Sequence, residues 1–221
     1  MLIVGADICD NPLCCQAWIS KENRMARWEK DKQEKYWNKI QNAVNSTIGQ
    51  VILYEGEPIN AFFHSNSGGA TESSINVWGG DLAYLQSVLT SGEEAYSSYH
   101  SEVKLSKDEI SQIVHDKYSD IEIDFNSDDW IKVLEITETS GRVKTLKIGN
   151  KEISGNEARM LFGLKSTKFD IQIDEDSCTF FVTGYGHGVG LSQCGSDSLA
   201  KQGLNYKEII NHYYKDVEIS E

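Results

Sequence analysis

Two histidines in this 221-residue sequence sit inside runs of small and polar residues. The first run reads His64-Ser65-Asn66-Ser67-Gly68-Gly69. The second reads Gly184-Tyr185-Gly186-His187-Gly188-Val189-Gly190 and leads to Ser192 and Gln193. Each follows a stretch with strand character, so each places an imidazole and several polar groups at a strand end, where binding sites are commonly built. Glycines there permit unusual backbone angles and let a ligand come close to main-chain donors. One such segment alone would read as a tight turn with polar neighbours. Two of the same character point to a shared polar groove suited to sugar hydroxyls. Phosphate is disfavoured, because neither run contains the Lys or Arg that would support it.

Other residue types raise further chemistry. Glu72 follows the Gly68-Gly69 turn and is a candidate acid, although a carboxylate that caps a turn or holds Arg159 is the commoner case. Cys194 lies seven residues after His187 across a loop-to-helix junction, a spacing compatible with a thiol peptidase pair; a buried inert thiol is commoner. His64, His187 and His212 form a conceivable metallohydrolase set. Near the start, Cys9 and Cys15 give a Cys-x5-Cys spacing with Cys14 beside the second. Two thiolates can ligate zinc, but a structural site needs about four ligands, so unpaired thiols weigh equally.

The elements that must position these residues read as α+β, with mainly antiparallel strands and segregated helices. A helix is expected over residues 20–45, with Ser20 as its cap and Trp37, Ile40 and Val44 on one face. Val51 to Tyr54 and Ile59 to Phe63 read as a hairpin around Glu-Gly-Glu-Pro. A long ordered loop follows from Gly68 to Tyr99. Capping boxes at Ser106 to Glu109 and at Ser154 to Glu157 start two helices. Strands are expected at 120–125, 130–138, 142–148, 168–173 and 178–183, and final helices at 191–202 and 206–214. No repeat or linker divides the chain, so it reads as one domain over 1–221 with a subdomain over 100–175.

Composition excludes more than it selects. With 21 basic and 34 acidic residues the net charge is −13, which repels a phosphate backbone and makes nucleic acid an unsuitable partner. Five cysteines, three of them near the start, are a poor disulfide framework. No run approaches the roughly 20 apolar residues that span a bilayer, so no membrane contact is expected of this stretch of chain.

The runs Phe63 to Glu72 and Gly184 to Gly195, with Val77-Trp78-Gly79, Gly155 to Arg159, Gly203, Tyr206 and His212-Tyr213-Tyr214, resemble the stage II sporulation protein D family in the family's own order. The resemblance implies a lytic transglycosylase that cuts denuded peptidoglycan strands during spore engulfment. It would be held outside the cytoplasm by an N-terminal anchor and work with other engulfment proteins. In such enzymes a single carboxyl group acts as acid and then base, and no cofactor is required for catalysis. The family's glutamate precedes the Cys-x5-Cys, so the expectation is an acid upstream of residue 1. The sugar-binding set would be His64, Ser65, Ser67, Gly68, Gly69, Tyr185, Gly186, His187, Gly188, Ser192 and Gln193, with Cys9 and Cys15 as ligands of a structural zinc.

Overall fold

The computed structural model describes residues 9–10 and 17–220. The chain divides into two compact units, one built on residues 1–50 and one on residues 51–220. In the first, α1 (Lys21–Met25) and α2 (Gln33–Asn45) replace the single helix expected over 20–45. Ser20 caps α1 as expected, its hydroxyl accepting from the Asn23 N–H at 3.2 Å. The break falls in Glu29 to Lys32, four charged residues with no apolar side chain to bury, and Trp28 meets Tyr36 across it in a T-shaped contact at 5.4 Å.

The second unit begins with β1 (Ile52–Tyr54) and β2 (Glu57–Pro58), joined by Glu55 and Gly56 at φ 52° and 84°. Two positive φ values in a two-residue link make this the tightest hairpin turn, one step shorter than the sequence suggested. Next come β3 (Phe63–His64) and α3 (Ser74–Trp78), a short helix inside the segment read as loop. Then follow β4 (His100–Ser106), α4 (Lys107–Lys117), β5 (Ile131–Ile136), β6 (Val143–Ile148), β7 (Lys151–Ser154) and α5 (Gly155–Leu161). The chain continues through β8 (Phe169–Ile173), β9 (Ser177–Thr183), β10 (Leu191–Ser192), α6 (Gln193–Lys201), α7 (Tyr206–Tyr213) and β11 (Glu218–Ile219).

The fold is α+β with mainly antiparallel pairing, as expected. Strands β4, β9 and β8 form one antiparallel sheet and β5, β6 and β7 another. Both predicted capping boxes are formed, Ser106 with Glu109 and Ser154 with Glu157. The strand expected over 120–125 is absent. Ile121 is buried, but Glu122 bonds only to Asn150, through its N–H and its carbonyl, so the segment braces a turn instead of joining a ladder.

Two apolar cores divide this unit. One gathers α4, α5 and the two sheets around Ile110, Leu146, Ile148, Ala158 and Phe180. The other gathers Leu85, Val189, Leu199, Ile209 and Tyr213. None of the described helices is long and apolar enough to cross a membrane.

Candidate functional site

The two Gly-rich runs come together through a parallel strand pair. Phe63 faces Leu191 and His64 faces Ser192 across β3 and β10, and bridges join Asn66 to Tyr185 and Glu72 to Val189. A parallel pair cannot be closed by a tight turn, so residues more than 120 positions apart must be delivered by the rest of the fold.

Both histidines have tautomers fixed by the main chain. The His64 Nδ1–H donates to the Val189 carbonyl at 3.1 Å. Its Nε2 is then an acceptor, and it is buried without a partner. His187 donates from Nε2 to the Phe63 carbonyl at 2.9 Å and accepts at Nδ1 from the Val189 N–H at 3.1 Å. Burial, with the Arg142 charge, lowers His64 to about 3, and burial lowers His187 to about 4. Both rings are neutral at physiological pH, and their centroids lie 5.6 Å apart.

Two glycines of the second run are fixed by close approach. At Gly186, with φ 118°, a Cβ would come within 2.6 Å of the His64 Cβ; at Gly188, with φ 83°, it would come within 2.4 Å of the Arg142 Cζ. Either substitution would displace a side chain that organises the site.

The polar floor rests on two carboxylates. Glu93, which sequence reasoning missed, is fully buried. It accepts from the Ser67 N–H at 3.1 Å, the Gly69 N–H at 3.0 Å, the Thr90 hydroxyl at 2.7 Å, and the hydroxyls of Ser67 and Ser192. Burial opposes its charge, but the bonds from Ser192, Ser67, Thr90 and Gly69 outweigh it and hold its pKa low. Glu72 is equally buried and accepts from Ser140 at 2.6 Å and from Thr139, Asn76 and the Ser73 N–H at 2.9 Å each. Burial again opposes ionisation, and the bonds led by Ser140 win, holding Glu72 at about 2. Such a group stays ionised and has no proton to give at neutral pH, so its environment is that of an anchor and not of a general acid.

Arg142 spans the two runs from beneath. It is buried, donates from Nη2 to the Ser67 carbonyl at 2.7 Å and from Nη1 to Ser166 at 2.8 Å. Burial lowers it to about 10, which leaves it cationic between Glu72 and Glu93.

This network decides which expected residues remain open to a ligand. The N–H of Gly68 is taken by the Asn66 side chain at 3.0 Å, and Ser67, Gly69 and Ser192 serve Glu93. Ser65 is partly exposed, and its carbonyl accepts from the Cys194 N–H at 2.9 Å; Gln193 is exposed at the start of α6. What faces outward is aromatic. Tyr185 is 44% exposed, Trp78 46% and Phe62 38%. Trp78 lies 5.2 Å from His187 and 4.7 Å from Phe62, centroid to centroid.

Two alternative chemistries find no geometry. The polar neighbour of the Cys194 thiol is the Ser98 hydroxyl at 3.4 Å, and both nitrogens of His187 are committed to backbone, so no thiol–imidazole pair forms. His212 bonds to the Leu89 carbonyl at 2.9 Å, and among the described residues no three His, Cys, Asp or Glu side chains converge as metal ligands. Of the pair expected to ligate zinc, Cys9 is partly buried and Cys15 lies outside the described residues.

The family model described as Domain of unknown function (DUF8618) matches residues 16–190. Stage II sporulation protein D of Bacillus amyloliquefaciens is 31% identical over 212 residues, covering 96% of this chain and 59% of that protein. The protein of the same name from Bacillus subtilis (strain 168) is 32% identical over 214 residues, covering 96% of this chain and 60% of its own length. An amidase enhancer of Bacillus subtilis (strain 168) is 27% identical over 226 residues, covering 80% of this chain and 32% of that protein. The chain thus spans 59 to 60% of the two sporulation relatives, and the resemblance read from the Gly-rich runs is borne out by these homologues.

Proposed function

The chain belongs to the family described as Domain of unknown function (DUF8618), and from that premise we propose that it is the glycan-binding portion of a cell-wall protein of sporulation, acting on peptidoglycan outside the cytoplasm. The names carried by its relatives, stage II sporulation protein D and amidase enhancer, support a cell-wall role. In the proposed reading the whole protein is a lytic transglycosylase whose acid, membrane anchor and engulfment partners lie outside these residues.

The observation that carries the reading is the strand pairing that joins the two Gly-rich runs and sets His187 against the exposed rings of Trp78 and Phe62, with exposed Tyr185 two residues before it. Aromatic faces stack on the apolar face of a pyranose, and the partly exposed Ser65 and the exposed Gln193 offer polar groups to its hydroxyls. Sites of this kind combine apolar area with a few convergent polar groups. Glu72 and Glu93 hold this surface in shape from within.

Trp78→Ala and Tyr185→Ala each weaken binding to peptide-stripped glycan strands by about tenfold while leaving the fold intact, since each ring offers one stacking contact worth roughly 1 kcal/mol or more. Unchanged binding in both variants would remove the surface from consideration. The products give a second check. Mass spectrometry of glycan incubated with this chain finds no anhydro-sugar ends if the acid lies elsewhere; their appearance would return catalysis to these residues.

A further inference from the structure

The first unit carries a surface that the glycan reading does not use. None of its described residues from 17 to 50 is buried, so α1 and α2 hold no core of their own. Along α2, Tyr36, Ile40 and Val44 recur every four residues and form one exposed apolar stripe. Trp28 meets Tyr36 at 5.4 Å, and both line an open groove with Ile40, Ala43 and Lys39. Trp18 before α1 and Ile48 after α2 are exposed as well.

The charge around this stripe is opposite to that of the whole chain. Residues 21–50 hold seven Lys or Arg against four Asp or Glu, in a chain with 21 against 34. Lys35 and Lys39, each one residue before a member of the stripe, border it on one side and are exposed; among the described residues neither forms an ion pair. Glu34, the one acid of α2, falls on another face. The cations of α1 lie on indoles, Arg24 at 4.4 Å from the centre of the Trp28 ring and Lys21 at 5.0 Å from that of Trp37. Aliphatic and aromatic side chains on one face with lysines at its border suit a helix lying in a bilayer interface, apolar groups toward the acyl chains and cations toward the headgroups. An antiparallel twofold contact along the stripe would set the lysine border against itself, which disfavours a second copy as the occupant. Lysines are flexible point charges and match mobile headgroups better than fixed carboxylates, for which guanidinium forks are the fitting partner.

We propose that the Tyr36, Ile40 and Val44 face of α2, with Lys35 and Lys39, docks on the surface of a bilayer that contains anionic phospholipid. The 13 residues of α2 make a helix about 20 Å long, too short to cross a bilayer and long enough to lie on one. The length limit that excludes a spanning segment does not apply to a helix at the surface, so this contact replaces the expectation of none. The inference stands apart from the glycan reading, since no residue of the Gly-rich runs takes part in it.

Co-sedimentation of the full chain with vesicles tests it, using phosphatidylcholine alone and phosphatidylcholine mixed with phosphatidylglycerol. The chain binds the mixed vesicles about tenfold more tightly, the preference shrinks as salt is raised, and tryptophan emission moves to the blue on binding. Ile40→Asp combined with Val44→Asp, both at exposed positions, removes binding to either vesicle. Lys35→Gln combined with Lys39→Gln lowers affinity for the mixed vesicles about tenfold, and the matching pair of Lys→Arg changes retains it. Equal binding to the two vesicle types, or binding to neither, overturns the proposal. So does sedimentation velocity in which Ile40 and Val44 drive self-association while vesicles are left unbound, a result that would give the face to a second copy.

Discussion

His187 donates from Nε2 to the main-chain carbonyl of Phe63, 2.9 Å away and 124 residues earlier in the chain. That bond ties the tip of the second Gly-rich run to the strand that feeds the first. It also holds the imidazole edge-on to Phe62 and tilted toward Trp78, so the exposed aromatics and the buried polar floor share one pivot.

Replacing Glu93 should loosen both runs at once. The Glu93→Gln change puts an amide nitrogen among donors from Ser67, Gly69, Thr90 and Ser192, and the expected loss of stability is about 3 kcal/mol. Urea unfolding measures it, and amide exchange at Ser67 and Gly69 should accelerate ahead of exchange in β9. A change below about 0.5 kcal/mol would contradict the role given to this carboxylate.

Glu72→Gln separates anchor from catalyst. The variant should unfold at lower urea, by about 2 kcal/mol, and, where folded, should bind glycan within about twofold of the wild type. Loss of lytic function with unchanged stability, read in the whole protein, would mean that Glu72 takes part in the chemistry.

Gly186→Ala sets a methyl group 2.6 Å from the His64 Cβ in a backbone conformation that favours glycine. The expected cost is about 2 kcal/mol or more, together with weaker glycan binding, because His64 must move. Wild-type binding in this variant would show that the position of His64 is immaterial.

Acid should weaken the fold before it reaches the carboxylates. His64 titrates at about 3 in the folded protein against 6.5 ordinarily, and His187 at about 4, so the unfolded chain takes up their protons first. The stability they confer is complete above about pH 6.5 and drains as pH falls toward those folded values, His64 alone contributing a slope of about 1.4 kcal/mol per pH unit from roughly pH 6 to 4. Glu72, held at about 2, adds a further loss below about pH 4.5. Urea midpoints at pH 8, 6, 5 and 4 report this. His64→Asn keeps a donor for the Val189 carbonyl without a titrating ring and should flatten the curve; an unchanged slope would remove His64 as its cause.

Local signals in the sequence survived and distant ones did not. The Ser106 to Glu109 and Ser154 to Glu157 capping boxes are complete within four residues, so they could be read directly. The two histidine runs were legible as site material because glycine and polar residues cluster in the sequence itself. Glu93 left no such mark: its partners Ser67 and Ser192 lie 26 and 99 residues away. Arg142 is likewise defined by Ser67, 75 residues before it. The single helix expected over 20–45 is two helices, because the Ser20 cap and the apolar face of Trp37, Ile40 and Val44 mark its ends while Glu29 to Lys32 between them has nothing to bury.

The measurement to make is a two-dimensional NMR titration of the 15N-labelled chain with chitotetraose. Shifts should concentrate at the Trp78 indole N–H, the Gly186, His187 and Gly188 amides and the His64 ring, with the amides of the β5, β6 and β7 sheet unmoved. Shifts confined to other surfaces, or none at millimolar sugar, would contradict the assignment of this surface to glycan.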